Sequence, residues 1–500
     1  MGRVKRLLTP VDDAVRRRWQ VLAVTAVAVF MSFLDVTIVN IAFPNLRTYF
    51  ATTSLPVLSW VINGYGVVFA AALIPAGRLA DRIGRRRLFL AGIVVFLLAS
   101  ALCGLAPNPW VLIAARMVQA LGAAAVVPTS LALLLPEFPL AQRATATAIW
   151  GATGAVAAAT GPALGGLLVG WVDWRLVFFV NVPIGVAALV PARRLLAESR
   201  DPQGSPAPDW WGAGVLALGV GALAFAIVQG PGWGWGDPRI AASFAAAAVL
   251  LGAFGWRCAH HPAPIIEPDL FRVRSFAVAN VGSVVFAIGF YALLLCNVLF
   301  LTGVWGLDIV LAGVALTPGA VTAALVAPFG GRAADRFGQR AIAVPGGLLF
   351  AAGAAFLALS STATPDYPTH FLPGILLTGA GIGLSISSFG SAAVAELPRQ
   401  RFATGSAVTA CFRQIGAVVG IAVLLAVIGD PTTGTALSSF HHAWWVMAAT
   451  GGVAAACGIA LGRVHARDTE STTVTTPDGL TTRGGPTGPT TPTNARTATP

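Results

Sequence analysis

The 500-residue sequence contains too few charged residues for a protein that folds in water. Charged residues make up 10% of the chain and hydrophobic residues 56%, whereas about a quarter of a soluble domain is charged. This shortage excludes a soluble globular protein and predicts a chain embedded in a lipid bilayer. The net charge of +12 does not indicate nucleic-acid binding, because the arginines form short clusters between apolar runs and no basic stripe with interleaved aromatics.

The sequence also lacks the motifs of several kinds of functional site. No GxxxxGK[ST] phosphate-binding loop occurs, which excludes a nucleotide-driven pump. The six histidines have no ligand-like spacing inside the apolar runs, so no metal is expected. The cysteines show no CxxC spacing and are interpreted as small core residues: Cys103, Cys258, Cys296, Cys411 and Cys457. We therefore expect neither an enzyme nor a cofactor, and a proton gradient is the expected energy source.

Fourteen apolar runs approach the ~20 residues that are needed to cross a bilayer. Six lie at about 19–42, 57–76, 88–106, 110–135, 144–170 and 177–196, and six at about 276–301, 309–330, 341–360, 369–395, 403–428 and 441–463. Two more, at about 211–229 and 241–257, separate these sets. The predicted fold is an all-α polytopic membrane protein with fourteen helices in a 6 + 2 + 6 order.

The spans divide the chain into five predicted segments. They are a cytoplasmic N-terminal segment (1–18), a six-helix bundle (19–196), an inserted helix pair with a loop (197–275), a second six-helix bundle (276–463) and a disordered cytoplasmic tail (464–500). The tail is rich in Thr, Pro and Gly and has almost no large apolar residue, so it cannot bury enough surface to fold. The apolar stretch from Ile265 to Phe271 is interpreted either as an interfacial segment or as an ordinary linker.

One charged phrase occurs twice and indicates that the two bundles are duplicated. The phrase Gly77-Arg-Leu-Ala-Asp-Arg-Ile-Gly-Arg is repeated as Gly331-Arg-Ala-Ala-Asp-Arg-Phe-Gly-Gln, 254 residues later, and Glu137 and Glu396 keep nearly the same spacing. Duplicated halves are how many secondary transporters build a substrate site at their interface. We expect the arginines of the phrase to pair with these two glutamates in a conformational latch, and its aspartates to cap helix N-termini. The predicted latch residues are Gly77, Asp81, Arg82, Gly84, Arg85, Glu137, Asp335, Arg336 and Glu396. The alternative is that these arginines only fix the topology.

The distribution of basic residues predicts how the chain is oriented. Sorting them by alternate loops places 27 on the side of the N-terminus, 3 on the other side and 2 inside helices. Because basic residues accumulate on the cytoplasmic side, both termini are predicted to be cytoplasmic. The use of 31 arginines against a single lysine suggests a GC-rich bacterial gene, so the expected location is a bacterial cell membrane.

Asp35 is the only acidic residue well inside a predicted span. A rise of 1.5 Å per residue places it ~24 Å from Trp19, and places Arg116 ~9 Å from the opposite boundary. The similar depths lead to the hypothesis that Arg116 pairs with Asp35 and controls its protonation. An acid in this position costs ~3 kcal/mol to insert and usually marks an ion or proton path. The alternatives are a structural carboxylate bonded to Thr37 and Asn40, and an arginine that extends to the headgroups.

Two further features predict a cavity and a tightly packed helix. Arg413 lies ~15 Å deep in the thirteenth span beside Gln414, where it either faces a substrate or is structural. The remaining cavity candidates are Thr37, Asn40, Asn63, Tyr65 and Gln119. The fifth span is rich in glycine around a proline, which predicts a hinge or a close helix seam. Its motif residues are Gly154, Gly161, Pro162, Gly165 and Gly166.

These residues resemble the major facilitator superfamily and, within it, the fourteen-helix drug/proton antiporters. The resemblance extends to about residue 463 and is carried by Leu34-Asp-Val-Thr-Ile-Val-Asn40, the repeated phrase, Arg116-Met-Val-Gln119, Gly161-Pro-Ala-Leu-Gly-Gly166, Trp174 to Gly185, and Phe412-Arg-Gln-Ile-Gly416. It implies proton coupling through Arg116, antiport from the fifth span, and proton or substrate exchange at Asp35. Ala120 and Ala157 depart from the family pattern, which has glycine at both positions.

The predicted function is therefore a proton-driven antiporter that exports drugs, antibiotics or other amphiphilic small molecules and confers resistance. The missing acid in the interior of the tenth span disfavours bulky divalent cations. The alternative is a proton-coupled symporter for a sugar or an organic acid on the same fold. The expected partners are a lipophilic small-molecule substrate, protons and the bilayer, with no nucleic acid, and the protein is expected to be a monomer.

Overall fold

The computed structural model describes residues 10–200, 207–398, 401–429 and 435–462. The predicted tail at 464–500 and the first nine residues of the N-terminal segment lie outside the described residues. The description that follows concerns the four ranges alone.

The first half of the described chain consists of helices joined by short loops. They are α1 (Pro10–Tyr49), the single turn α2 (Leu55–Leu58), α3 (Trp60–Ile83), α4 (Arg85–Gly104), α5 (Pro109–Leu134), α6 (Leu140–Trp171), the single turn α7 (Leu176–Phe179) and α8 (Asn181–Leu195). A 3₁₀ turn at Leu135–Glu137 follows α5. The predicted sixth span is interrupted between α7 and α8, at Val180.

The inserted pair and the second half continue in the same way. The inserted helices are α9 (Trp210–Trp233) and α10 (Pro238–His260), followed by a 3₁₀ turn at Pro268–Arg272. The second half contains α11 (Arg274–Gly303), α12 (Ile309–Phe337), α13 (Arg340–Ser360), α14 (Leu372–Ala395), α15 (Phe402–Ile428) and α16 (Ala436–Leu461). A π-helical turn at Tyr367–Phe371 leads into α14.

Fourteen segments in the described ranges are long and apolar enough to cross a membrane. The described residues contain helices and no strand, which confirms the predicted all-α class and the 6 + 2 + 6 order. The physical reason is that a segment in hydrocarbon must satisfy its own backbone hydrogen bonds, which a helix does internally. Tryptophans lie near the helix ends, where their amphipathic rings suit the membrane interface. The exposed examples are Trp19, Trp110, Trp171, Trp210, Trp211, Trp235 and Trp256.

The two ends of the bundle differ in charge. We call the end at which α1 begins the arginine-rich side and the opposite end the arginine-poor side, which carries Arg47, Arg175 and Arg239. Helices α1, α4, α5, α6 and α8 pack together in the first half, and α11, α13, α14, α15 and α16 in the second. Contacts between the halves connect α6 with α12 and α3 with α15. Helix α9 packs against both α3 and α15, so the inserted pair covers that seam.

The inserted pair is fastened by an ion pair at the arginine-rich side. Asp209 accepts hydrogen bonds at 2.8 Å from the backbone N–H of Gly212 at the start of α9 and from the Arg257 guanidinium of α10. Burial alone would raise the pKa of Asp209, but the hydrogen bonds from Arg257 and Gly212 bring the pKa below its ordinary value. In the linker that follows, Ile265 and Leu270 are buried against the bundle.

Candidate functional site

The two charged residues predicted to meet inside the bilayer form a buried ion pair. Asp35 in α1 and Arg116 in α5 have exposed fractions of 0% and 1%, and their Oδ2 and Nη1 atoms lie 2.5 Å apart. The matched depths therefore correspond to direct contact. Burying both charges is costly unless the geometry is good and the remaining polar atoms are bonded, so the surrounding residues decide whether the pair is stable.

Amides and a hydroxyl complete the hydrogen bonding of the pair. Gln119 and Asn181 each donate from a side-chain amide to Asp35 Oδ1 at 2.9 Å, and both also donate to Ser100 Oγ. Arg116 donates to Gln119 Oε1 at 2.7 Å and, through Nε, to the Val61 carbonyl at 3.2 Å. The charges are thus held in a polar network that is closed off from solvent.

Aromatic rings cover Arg116 on two sides. The guanidinium carbon lies 4.2 Å from the centroid of the Tyr65 ring and 5.7 Å from that of Phe178. Tyr65 is 3% exposed, and its hydroxyl has no hydrogen-bond partner among the described residues. Tyr65 therefore covers one face of the Arg116 guanidinium, and its hydroxyl is buried without a partner among the described residues.

Thr37 and Asn40 do not hydrogen-bond to Asp35, so the alternative of a carboxylate bonded to these two residues is wrong. Thr37 donates to the Leu34 carbonyl at 3.0 Å, and Asn40 donates to the Val36 carbonyl at 2.9 Å. The reason is helical geometry, since residues two positions apart point to nearly opposite faces and only those three or four apart are neighbours. Thr37 instead packs against α6, where a Cβ at Gly161 would collide with its side chain.

The glycine-rich α6 forms two close seams. Gly161 and Gly165 face α1, where an added Cβ would meet Thr37 and Ile38. Gly166 faces α12, where a Cβ would come within 2.7 Å of the Ile309 carbonyl, and Gly313 of α12 faces the Pro162 carbonyl in return. Small residues allow such backbone approach in membrane helices. The two halves are therefore packed tightly at the arginine-poor ends of α6 and α12.

The first copy of the repeated phrase lies at the end of α3. The hydrogen-bond partners of its charged side chains differ from the predicted ones. Asp81 lies in the last turn of α3, and its Oδ1 accepts a hydrogen bond from Arg85 Nε at 2.9 Å. The prediction that Asp81 caps a helix N-terminus is therefore wrong, since α4 has no side-chain cap. Glu198 instead accepts from the backbone N–H groups of Arg86 and Arg87 at the start of α4. The chain turns at Gly84 with φ +114°, a value that favours glycine, and a Cβ there would collide with Glu198.

The predicted glutamates do not pair with the repeated arginines. Glu137 lies 3.6 Å from Arg17 of α1, because the turn after α5 places it beside the start of that helix. No ion pair to Glu396 occurs among the described residues. The carbonyls of Ala263 and Pro264 in the linker accept from Arg78 at 2.6 and 2.5 Å. The first copy is therefore bound to Glu198 and to the linker.

The second copy has the same backbone turn but other side-chain contacts. Gly338 turns the chain after α12 with φ +87°, Gln339 accepts from Ser391 at 2.8 Å, and Arg336 lies over the ring of Phe337. The Asp335 side chain lies outside the described residues. The latch in which arginines of the phrase pair with Glu137 and Glu396 in one of two conformations remains a prediction.

The other predicted cavity residues divide into two groups. Gln414 of α15, next to Arg413 in the chain, accepts from the Tyr291 hydroxyl of α11 at 3.2 Å. Asn63 is 1% exposed, and neither amide atom of its side chain has a partner among the described residues.

Comparison with known proteins identifies the family. The sequence pattern of the Major Facilitator Superfamily matches residues 25–421 and, separately, residues 279–485. The chain belongs to the major facilitator superfamily. Proteins of this superfamily are membrane transporters, so the chain is a multi-pass transporter that lies in a lipid bilayer and acts on a small molecule.

Several relatives within the superfamily carry names that refer to resistance or export. The chain is 35% identical over 410 residues to "Multidrug resistance protein Stp" of Mycobacterium tuberculosis, covering 81% of this chain and 75% of that one. It is 33% identical over 417 residues to "Tetracenomycin C resistance and export protein" of Streptomyces glaucescens, covering 83% and 77%. The fold also resembles a solved bacterial homologue of the human lysosomal transporter Spinster, with a TM-score of 0.61, 20% identity, and 89% and 97% of the two chains covered.

Two members of the buried network were not predicted as site residues. Ser100 and Asn181 hydrogen-bond to each other at 3.0 Å, and Asn181 contacts Asp35 directly. Asn181 offered a signal, because it is an amide inside an apolar run and within a phrase typical of the fourteen-helix branch of the superfamily. Ser100 offered none, since serine is common in membrane helices and only the folded bundle brings it beside the pair.

Proposed function

We propose that this superfamily member is a proton-driven antiporter that exports drugs, antibiotics or other amphiphilic small molecules out of a bacterial cell. The observation that carries the proposal is the buried Asp35–Arg116 pair, with the two charged atoms 2.5 Å apart. Asp35 is the only acid in the interior of the fourteen spans, and such residues usually mark proton paths. The relatives named for resistance and export support the direction and the substrate class.

The proposed cycle uses protonation of Asp35 as the switch. A proton on Asp35 removes the charge that holds Arg116, so the network of Gln119 and Asn181 rearranges and the pair separates. Return to the ionised state restores the pair. The two states differ in which side of the bundle admits solvent, as expected for halves that rock against each other.

The described contacts support a state that is closed on the arginine-poor side. The carbonyls of Pro162 and Ile309 lie against Gly313 and Gly166 there, and opening requires this seam to part. With the arginine-rich side assigned to the cytoplasm, both termini are cytoplasmic. The cavity in this state would receive substrate from the cytoplasm and would release it after the seam opens. We propose that a monomer performs the whole cycle.

The test measures proton release from everted membrane vesicles whose lumen has been acidified. Adding ethidium, chloramphenicol or anthracene-2-carboxylate should release protons from wild-type vesicles for at least one compound. Asp35→Asn should abolish the release, because asparagine cannot carry a proton through the cycle. Asp173→Asn is the matched control, since Asp173 pairs with Arg175 on the arginine-poor surface and should leave the release unchanged.

Two results would contradict the proposal. Full proton release by Asp35→Asn vesicles would remove Asp35 from the coupling. Transport that persists at the same rate after an ionophore has collapsed the pH difference would show that protons do not drive it. Accumulation of the compounds in intact cells, in place of extrusion, would favour the symporter.

A further inference from the structure

The second half contains a membrane-embedded arginine that has no acidic counterpart in its own spans. Arg413 lies nine residues after the start of the span Thr404–Ile428, which is ~14 Å along the helix. None of the six spans of this half contains Asp or Glu. The only acid in the interior of the first half, Asp35, is bonded to Arg116. The middle of the bundle therefore has a surplus positive charge.

The contacts of α15 show where Arg413 points. Cys411 contacts the Ala70 carbonyl of α3 at 3.3 Å, and Val418 lies against Gly66 of the same helix. Gly416 and Gly420 lie against the backbone of α11. Successive residues of a helix are rotated by about 100° around its axis. Arg413 and Gln414 therefore lie between the face of α15 that contacts α3 and the face that contacts α11. Their side chains project into the space between α3 and α11.

Two tyrosines reach this space from opposite halves of the protein. Tyr291 of α11 donates to Oε1 of Gln414, the neighbour of Arg413 in the chain, at 3.2 Å. Tyr65 of α3 precedes Gly66, which lies against Val418 of α15, and its buried hydroxyl has no partner among the described residues. We call Tyr65, Tyr291, Arg413 and Gln414 the tyrosine–arginine cluster.

The cluster contains more hydrogen-bond donors than acceptors. Arginine supplies five N–H donors and no acceptor, each tyrosine supplies one O–H, and the glutamine amide supplies two N–H groups. The oxygen of Gln414 is already used by Tyr291. A ligand that suits this site must bring acceptor atoms, and the surplus charge favours an anionic group, which a guanidinium binds in a bidentate manner.

We propose that the tyrosine–arginine cluster binds the carboxylate or acidic phenolate of an amphiphilic aromatic substrate. The inference rests on the proposed export function and narrows its substrate class to aromatic acids. The flanking rings suit the aromatic part: Phe69 stacks on Tyr65 at 6.0 Å, and Phe290 lies 4.8 Å from Tyr291. A substrate held against Tyr65 covers the Asp35–Arg116 pair, so proton and substrate exclude each other by occupying one route.

The test is equilibrium binding to the purified full-length protein in detergent at neutral pH, with no gradient present. Three fluorescent probes of one shape carry different charges: anthracene-2-carboxylate, the neutral anthracene-2-carboxamide and the cationic 2-(aminomethyl)anthracene. Wild type should bind the carboxylate about tenfold more tightly than the other two probes. Arg413→Gln should remove this preference and change carboxamide affinity by less than about twofold.

Further variants distinguish an effect of charge on binding from an effect on folding. Arg413→Lys should keep part of the preference, because lysine retains the charge without the planar fork. Tyr291→Phe removes a single donor and should weaken carboxylate binding several-fold. The control Arg239→Gln, at an exposed ion pair on the arginine-poor surface, should behave as wild type. Carboxamide binding shows that each variant is folded.

The inference is overturned if wild type binds none of the probes or prefers the amine or the amide. It is also overturned if Arg413→Gln leaves the carboxylate preference unchanged. These results are independent of proton coupling, because binding is measured without a gradient. Proton-driven export with no charge preference would leave the proposed function intact and refute only the aromatic-acid assignment.

Discussion

The two halves of this transporter share a fold but differ in the chemistry of their buried charges. In the first half, Arg116 meets Asp35 and is enclosed by amides and rings. In the second half, Arg413 takes part in no ion pair among the described residues. The comparison teaches that duplication supplied the frame, whereas single residues made the buried charges of the two halves different.

The copies of the repeated phrase differ in the same manner. Arg78 of the first copy holds two linker carbonyls, whereas Arg332, at the matching position of the second copy, is exposed and lies over Phe329. The first copy is therefore connected to the linker between the halves. The second copy is connected mainly within its own half, through Gln339 and Ser391.

The largest effect is expected from separating the charges of the buried pair. Arg116→Gln leaves Asp35 without its cation and should lower the free energy of unfolding by about 3–5 kcal/mol. Adding Asp35→Asn should recover most of this loss, because no unpaired charge remains. Chemical unfolding in mixed micelles measures both values. By contrast, Arg413→Gln should change stability by less than about 1 kcal/mol, and a loss as large as that of Arg116→Gln would contradict the difference between the halves.

A smaller effect is expected from widening the contact between the halves. Gly313→Leu places a side chain against the Pro162 carbonyl and should disfavour the closed seam by about 1–3 kcal/mol. Spin labels at the exposed positions Trp171 and Leu311, in a cysteine-free background, should report longer distances by double electron–electron resonance. Gly151→Leu on α6 is the control, since a Cβ there meets nothing within 4 Å. Equal distances in both variants would show that the seam does not hold the halves together.

The smallest effect is expected from the matched arginines of the repeated phrase. Arg78→Gln removes two hydrogen bonds to the linker and should lower stability by about 1–2 kcal/mol, with slower transport. Arg332→Gln should lie within about 0.5 kcal/mol of wild type. Thermal unfolding and proteoliposome transport test both variants. Equal behaviour would show that the two copies serve one common role.

The sequence was sufficient for the fold because hydrocarbon imposes a simple rule. A long apolar run must become a helix, so the fourteen spans and their order were predictable, as was the meeting of Asp35 with Arg116 from their depths. Side-chain partners were less predictable. Glu198 took the place of Glu137 beside the repeated phrase, because loop paths are set by packing. Ser100 joined the buried network only through the fold.

The position of the inserted pair has a consequence for how compounds dissolved in the membrane reach the interior. Helix α9 lies against α3 and α15, so it separates that flank of the bundle from the surrounding lipid. The flank formed by α6 and α12 is covered by no inserted helix in the described ranges. The two inserted helices therefore cover only one of the two flanks that face the lipid, although the two halves are arranged as a pseudo-symmetric pair.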